Sequence, residues 1–387
     1  MSAFGIVSEF NPFHSGHAYL FEKARESGAD KIVCVMSSNA VQRGELAIAD
    51  KYTRARAALE CGADLVLELP YPWCSASAEF FSEAAVYVAS FFCDTLFFGS
   101  ENGSAEELLD AARICESDEF IEKYKQRVSS GEGAATVFAS LLEQQGASTL
   151  GSNDLLGVSY IRSVLRNKYG MDIRTTKRLG AAYNDNVVTE GELPSASAVR
   201  SLMESGELKK AIECLPVASA SILAEAAERG ETASNTTMLD AALMYFRLHG
   251  GEDFSGIAEC GGGLANRICA AARDAKSGAE LAELVKTKAY TNARIRRAML
   301  YCMTGVGEEM MRARPEYTTL LAANEKGREL LSKNRRDGGI TVVTKPADAP
   351  QESEQYKTSS KLDAIFTFAL ESKKCASDML KKSAYIV

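Results

Sequence analysis

The run Glu9-Phe10-Asn11-Pro12-Phe13-His14-Ser15-Gly16-His17 sets two of the chain's three histidines three residues apart, around a glycine. It follows an apolar run, 4–9, that reads as a strand, and it leads into a helical segment, 18–27. Pro12 fixes the turn out of the strand. Gly16 lets the backbone come close to a ligand. The helix beginning near His17 turns free N–H groups and its positive end toward an anion. Imidazole N–H groups add donors to the charge that builds on phosphate oxygens during transfer. The pattern points to phosphate chemistry. Two other readings compete: a pair of satisfied loop histidines, and a zinc site, which lacks a third histidine nearby and paired cysteines.

Other residues could serve the same chemistry. Ser195 and Ser197, with Arg200, open a helix after Pro194. Two hydroxyls and a guanidinium there make either a second anion cradle or an ordinary capping motif. Arg178 follows a strand at 172–176 and could form paired hydrogen bonds to phosphate. Gly99 ends a strand, where a side chain would collide with a base or ribose, although a simple strand-ending turn explains it too. Asn153 stands ahead of a helix, where an N-cap is the better reading of the residues taken alone. Segment 286–297, KTKAYTNARIRR, carries Lys286, Lys288, Arg294, Arg296 and Arg297 with no acid. It is a solvated helix face or a phosphate-binding strip, with Tyr290 as a surface on which a base could stack. On a helix over 290–297, Arg294 and Arg297 share a face and Arg296 points away.

The elements that position these residues follow from periodicity. Runs 4–9, 31–36, 65–69 and 95–98 are short and apolar, and helical segments 18–27, 51–61 and 79–92 separate them. That alternation predicts an α/β fold with a parallel sheet covered on both faces. A fifth strand, 172–176, comes after a helical insertion at about 105–169. Ligands in such sheets bind beyond the carboxyl ends of the strands, which directs attention to the segments after Glu9, Met36, Phe98 and Thr176. From about 207 to 333 the pattern is helical. A small strand at 340–344, a polar linker at 346–358 and an amphipathic helix at 361–371 follow.

With 387 residues, 46% of them hydrophobic, the chain predicts two or three domains with their own cores and excludes disorder or low complexity. A net charge of −8 argues against coating nucleic acid with the whole surface, yet permits a local basic patch. The ten cysteines never form CxxC, which predicts buried reduced thiols rather than a disulfide framework. The amino terminus lacks a basic signal region, and the most apolar stretch, 84–93, is too short to span a membrane. The expectation is a soluble, cytoplasmic protein that engages neither membrane nor DNA.

His-x-Gly-His after a first strand is the signature of nucleotidyltransferases and class I aminoacyl-tRNA synthetases. The fuller string GIVSEFNPFHSGH resembles the bacterial tRNA(Met) cytidine acetate ligase family, as do MSSNAVQRGE (36–45), DLVLELPYP (64–72), LFFGSENG (96–103), NDLLGVSYI (153–161), TTKRLGAAYND (175–185), SASAVR (195–200) and KTKAYTNARIRR. The resemblance implies a Rossmann-like sheet of the HxGH nucleotidyltransferase type followed by a mainly helical region. The implied division is an adenylation domain at 1–206, a helical tRNA-binding domain at 207–335 and a small α+β segment at 336–387. It further implies that acetate is activated by ATP as acetyl-adenylate, with Mg²⁺ accompanying the ATP. The acetyl group then passes to N4 of the wobble cytidine of elongator tRNA(Met).

In that family ATP lies along positions matching Val7, Ser8, Glu9, Phe10, Asn11, Pro12, Phe13, His14, Ser15, Gly16, His17, Ala18, Tyr19 and Leu20, and touches those matching Gly99, Asn153 and Arg178. His14, His17, Ser197 and Arg200 are then the expected catalytic residues. Lys286, Lys288, Tyr290, Arg294 and Arg297 are the expected tRNA contacts. Three positions depart from the family: Ser38 stands for a glycine, Leu46 for a proline and Ala289 for an arginine. A small-molecule adenylyltransferase of the pantetheine-phosphate or nicotinate-nucleotide kind is the alternative enzyme. A non-catalytic RNA-binding protein is the alternative without chemistry.

Overall fold

The computed structural model describes residues 2–101, 103–145, 150–178 and 195–387. Asn102, residues 179–185 of the TTKRLGAAYND string and Pro194 lie outside the described residues. Strands β1 (Ala3–Ser8), β2 (Lys31–Ser37), β3 (Leu65–Leu69), β4 (Thr95–Ser100) and β5 (Asp172–Lys177) pair in parallel, in the order β5-β4-β1-β2-β3. Every residue of β2 and β3 is buried, which is why those runs are nearly continuous in hydrophobicity instead of alternating. Helices α1 (Ser15–Glu26), α2 (Lys51–Glu60) and α3 (Ala78–Ser90) connect the first four strands. Winding reverses between β1 and β4, so a crevice opens at their carboxyl ends.

The insertion before β5 contains α4 (Ala105–Cys115), α5 (Asp118–Ser129), α6 (Ala134–Gln144) and α7 (Ser152–Asn167). Helices α8 (Ala196–Glu204), α9 (Leu208–Glu213), α10 (Val217–Glu228), α11 (Asn235–His249), α12 (Leu264–Ala272), α13 (Gly278–Val285), α14 (Asn292–Thr304) and α15 (Glu308–Arg312) follow. The expectation of helix through 333 then fails. Residues Tyr317–Ala323 form β6, all seven of them buried, before α16 (Glu325–Arg336) resumes the helical pattern. Tyr317, Thr318 and Thr319 favour a strand, but their Ala-rich and charged surroundings mask that preference in the sequence.

β6 pairs antiparallel with β3, and both β7 (Thr341–Val343) and β8 (Tyr385–Ile386) pair parallel with β6. The sheet is therefore mixed, and residues from beyond 316 extend it. The linker read at 346–358 is also corrected. It holds a 3₁₀ turn, Pro346–Asp348, and the first turn of α17 (Glu354–Ala369), where the Ser353 hydroxyl accepts the Tyr356 N–H at 3.1 Å. All ten cysteines are free thiols.

A buried charge network ties the carboxyl-terminal part to the loop after β2. Lys51 Nζ donates to Glu68 Oε1 at 2.6 Å, and the Ser38 hydroxyl donates to the same oxygen at 2.6 Å. Asn39 donates to Asp363 Oδ1 of α17 at 2.8 Å, while its own side-chain oxygen accepts the Lys51 N–H. Burial alone would discharge Lys51, but Glu68 and Asp363 outweigh it and hold its pKa above the usual lysine value. Replacing Glu68 by alanine leaves that ammonium without its partner, so Glu68→Ala is expected to lower the unfolding free energy by about 3–5 kcal/mol. Urea denaturation checks this, with Lys51→Met added to Glu68→Ala expected to recover part of the loss.

Candidate active site

The chain between β1 and α1 is held by its own histidines. His14 is the N-cap of α1, so the helix starts at Ser15 and not near His17. Nδ1 of His14 accepts the Gly16 N–H at 3.0 Å, and Nδ1 of His17 accepts the His14 N–H at 3.2 Å. The rings lie with centroids 4.0 Å apart, and Phe10 and Phe13 stand behind His17 at 4.9 and 5.4 Å. Burial, then the positive charges of Arg178 and Arg200, push the His14 pKa down to about 3. Burial, with His14 and Arg178, also holds His17 well below its ordinary value. Both imidazoles are therefore neutral. Because each Nδ1 accepts a hydrogen bond, the ring proton is on Nε2 in both. Gly16 is required by contact: a Cβ there would lie 2.8 Å from His14 Cε1.

The residues singled out from the sequence converge on one cleft of about 1410 Å³. Its walls include Val7, Ser8, Glu9, Phe10, Asn11, His14, Gly16, His17, Leu20, Gly99, Asn153, Arg178, Ser197 and Arg200. Pro12, Phe13, Ser15, Ala18, Tyr19 and Lys286 are not part of the wall. Several of these brace the loop from behind. The Phe13 carbonyl accepts the Ser219 hydroxyl at 2.7 Å, and the Ser15 hydroxyl donates to the Cys214 carbonyl at 3.3 Å. Arg200 donates to the Asn11 carbonyl at 2.8 Å and to the Ser197 hydroxyl at 3.2 Å, so this guanidinium fixes the loop from α8. Asn11 Oδ1 accepts the Ile48 N–H at 2.7 Å, but its Nδ2 is buried with no partner among the described residues. A buried donor without an acceptor costs about 1–3 kcal/mol, which a ligand oxygen would recover.

Two expectations change in detail. The space above Gly99 belongs first to Arg178, whose Cγ would be 2.9 Å from a Cβ at that position. Asn153 is not an N-cap, because Gly151 occupies that place in α7. Instead Glu101 reaches across from the end of β4 and accepts the Asn153 N–H at 3.1 Å, its Nδ2 at 2.5 Å and the Asp154 N–H at 2.8 Å. Burial opposes ionisation of Glu101, yet these donors outweigh it and keep the carboxyl below its ordinary pKa.

The basic strip reaches the same cleft through Lys288, Tyr290, Arg294 and Arg297. Helix α14 starts at Asn292, capped by the Thr291 hydroxyl, rather than at Tyr290. The strip does have counter-acids, supplied from distant sequence. Glu259 pairs with Arg294 at 3.4 Å and with Arg297 at 2.9 Å, and Glu45 pairs with Arg296. Lys286 lies 3.6 Å from Glu283. The Arg294 guanidinium also stacks over Tyr290, 5.3 Å from the ring centre. Lys288 is exposed and has no ion pair among the described residues.

A family model described as HIGH Nucleotidyl Transferase matches residues 1–382. The tRNA(Met) cytidine acetate ligase of Bacillus subtilis (strain 168) is 33% identical over 363 residues, covering 89% of this chain and 87% of its own. The protein of that name from Listeria monocytogenes EGD-e is 34% identical over 361 residues, covering 90% and 91%. Crystal structures of Thermotoga maritima TmcAL superpose over 100% of both chains at 30% identity. The TM-score is 0.90 for an apo form and 0.88 for one bound with alpha-thio ATP. The chain belongs to the tRNA(Met) cytidine acetate ligase family.

Within this family pattern the departures have local accounts. Ser38 uses its hydroxyl to bind Glu68, a bond glycine lacks. Leu46 donates its N–H to Asn235 Oδ1 at 2.8 Å, a donor that proline lacks. Ala289 sits in the cleft wall, its N–H donating to the Thr287 hydroxyl at 3.2 Å. Sequence reasoning missed Arg54, which is buried in α2. Its guanidinium donates to the carbonyls of Glu9 (2.5 Å), Ser37 (3.0 Å), Ala49 (2.9 Å) and Ser38. No local signal marks it, because Lys51 and Arg56 make the same turn of α2 look like a solvated basic face.

The depressed histidine pKa values carry a sign. Between pH 6.5 and the folded-state values the unfolded chain binds more protons, so stability falls as pH drops through that window. Urea midpoints measured at neutral pH and near pH 5 should show a steeper loss in the parent than in the double variant His14→Asn/His17→Asn. The asparagine that replaces His14 there can still cap α1, so the helix start is kept while both titrating rings are removed.

Proposed function

We propose that this chain activates acetate with ATP and transfers the acetyl group to N4 of the wobble cytidine of elongator tRNA(Met). The observation that carries this reading is the single cleft, which runs from the histidine-capped end of α1 to Lys288 and Tyr290. Family membership and the binding of alpha-thio ATP by a protein of the same fold support it. In the first step the acetate carboxylate attacks the α-phosphorus in line and pyrophosphate leaves. His14 and His17 donate through Nε2–H to the developing charge, the amino-terminal end of α1 adds its dipole, and Arg178 and Arg200 supply fixed positive charge.

Among the described residues no three His, Cys, Asp or Glu side chains are arranged to hold a metal ion. The Mg²⁺ expected with ATP would come as a companion of the nucleotide, offsetting the charge of its phosphates. In the second step the cytidine amine attacks the acyl carbon and AMP leaves. A small-molecule adenylyltransferase has no use for a cleft wall built from α14 and the strip. The tRNA substrate makes the cytoplasm the working compartment, and no helix among the described residues is long and apolar enough to cross a membrane.

The test is incubation with ATP, acetate and total tRNA, followed by nucleoside mass spectrometry. N4-acetylcytidine should form only when both ATP and acetate are present, and its formation from acetyl-CoA without ATP would overturn the reading. In Gly16→Ala the new methyl displaces the His14 ring, so acetate-dependent ATP–pyrophosphate exchange should fall by about 10²-fold, as for other small misplacements of reacting groups.

A second expectation concerns tRNA. Arg294 and Arg297 are engaged by Glu259, so Lys286 and Lys288 are the freer cations of the strip. Replacing both by alanine should weaken tRNA binding and reduce its salt dependence by up to about two units of slope, read by filter binding across a salt series.

A further inference from the structure

Transfer of an acyl group to an amine releases a proton, and the two histidines cannot take it. Each uses Nδ1 to accept a capping hydrogen bond, at 3.0 Å from Gly16 and 3.2 Å from His14, so each presents only a protonated Nε2. They are donors. A proton acceptor has to come from elsewhere in the cleft.

Six carboxylates line that cleft, and five already have cationic partners. Glu45 pairs with Arg296, Glu79 with Arg166, Glu132 with Arg127, Glu259 with Arg294 and Arg297, and Glu308 with Arg312. Glu9 has no ion pair among the described residues. Its Oε1 accepts the Gln42 N–H at 2.9 Å, and its Oε2 has no hydrogen bond among them. The residue follows β1 directly, at the carboxyl edge of the sheet, where its carbonyl is clamped by Arg54 at 2.5 Å. The side chain is therefore held at both ends while one oxygen stays available.

The groups facing Glu9 are Arg200 from α8, Arg43, Glu45 and the Gln42 N–H from the loop after β2, and Arg54 from α2. Burial pushes its pKa up most. The Gln42 N–H and the two arginines Arg200 and Arg43 pull it down, Glu45 pushes it up, and the net position is above the ordinary carboxylate value. That direction suits a group that must take a proton and return it near neutral pH.

We propose that Glu9 is the general base of acetyl transfer, its free Oε2 taking the proton shed by the cytidine N4 amine. The proposal rests on the ligase reading given above. The N4 lone pair forms the bond to the acyl carbon, and the bond from that carbon to the phosphate oxygen breaks, its electron pair leaving with AMP. The proton passes from N4 to Glu9 and then to water. Adenylation joins a carboxylate to a phosphate and moves no proton, so Glu9 has no base to supply in that step.

The test separates the two half-reactions in Glu9→Gln, which keeps an oxygen to accept the Gln42 N–H. Acetyl transfer from preformed acetyl-adenylate to tRNA, followed in single turnover, should fall by roughly 10²–10⁴-fold, the usual worth of a positioned base. Acetate-dependent pyrophosphate exchange should fall less than transfer does, its own loss being only that of a contact between Glu9 and the nucleotide. The parent's transfer rate should decline toward low pH as Glu9 is protonated, the variant's profile should lose that limb, and Glu9→Asp should restore part of the rate. Transfer at the parent rate in Glu9→Gln overturns the proposal. So does an equal loss in both half-reactions, which would mark a nucleotide-binding or structural role. If the parent itself forms acetyl-adenylate but acetylates no tRNA, the ligase reading fails and the proposal goes with it. The variant comparison, by contrast, bears on Glu9 alone.

Discussion

Parallel strands that end inside a protein leave their last carbonyls without ladder partners, and the site depends on what supplies donors to them. Arg54 does so for β1 and β2 together. One buried guanidinium takes the carbonyls of Glu9, Ser37 and Ser38 from the two strand ends and that of Ala49 from the approach to α2. Burial pushes its pKa down to about 10, which still leaves it a cation at neutral pH. Each carbonyl left dry without it would cost about 1–3 kcal/mol. The direction in which the chain leaves β1, and hence the placing of Glu9, Asn11 and His14, follows from that anchor.

A second dependence radiates from the loop between β2 and α2. Gln42 gives its N–H to Glu9 and its carbonyl to Arg297, Glu45 pairs with Arg296, and Leu46 exchanges hydrogen bonds with Asn235. Gly44 adopts φ +71°, and a Cβ there would lie 2.6 Å from the Arg297 backbone nitrogen, so the loop and α14 touch main chain to main chain. The loop is thus the shared wall between the histidine end of the cleft and the basic end. Asn39 and Asp363 carry the same connection back to α17.

What the sequence revealed is what local patterns encode. The five parallel strands, the helix after the histidine motif and the helical insertion all follow from short-range periodicity and turn residues. The histidine motif was legible because its geometry is self-contained: His14 caps Gly16, and His17 returns to the His14 backbone. The hidden features involve partners far apart in the chain. Glu259 neutralises Arg294 and Arg297 from a loop before α12, which made the strip look unbalanced when read alone. Glu101 caps α7 from the end of β4, so Asn153 resembled a cap that it does not form. β6 was obscured because strand preference is set by the buried surface a segment meets, and only the fold supplies β3 as its neighbour.

The antiparallel pairing of β6 with β3 also has a consequence for how the chain is made. Synthesis delivers β3 by residue 69, but the strand that covers its outer edge is complete only at residue 323. At about 5–20 residues per second, that edge waits roughly 10–50 seconds with its backbone groups open. An unpaired strand edge that is apolar but for Glu68 is a template for the wrong neighbour, including the same strand on another nascent chain of a polysome. In the interval between making β3 and making β6 the growing chain carries an open strand edge, and mispairing there competes with the native partner.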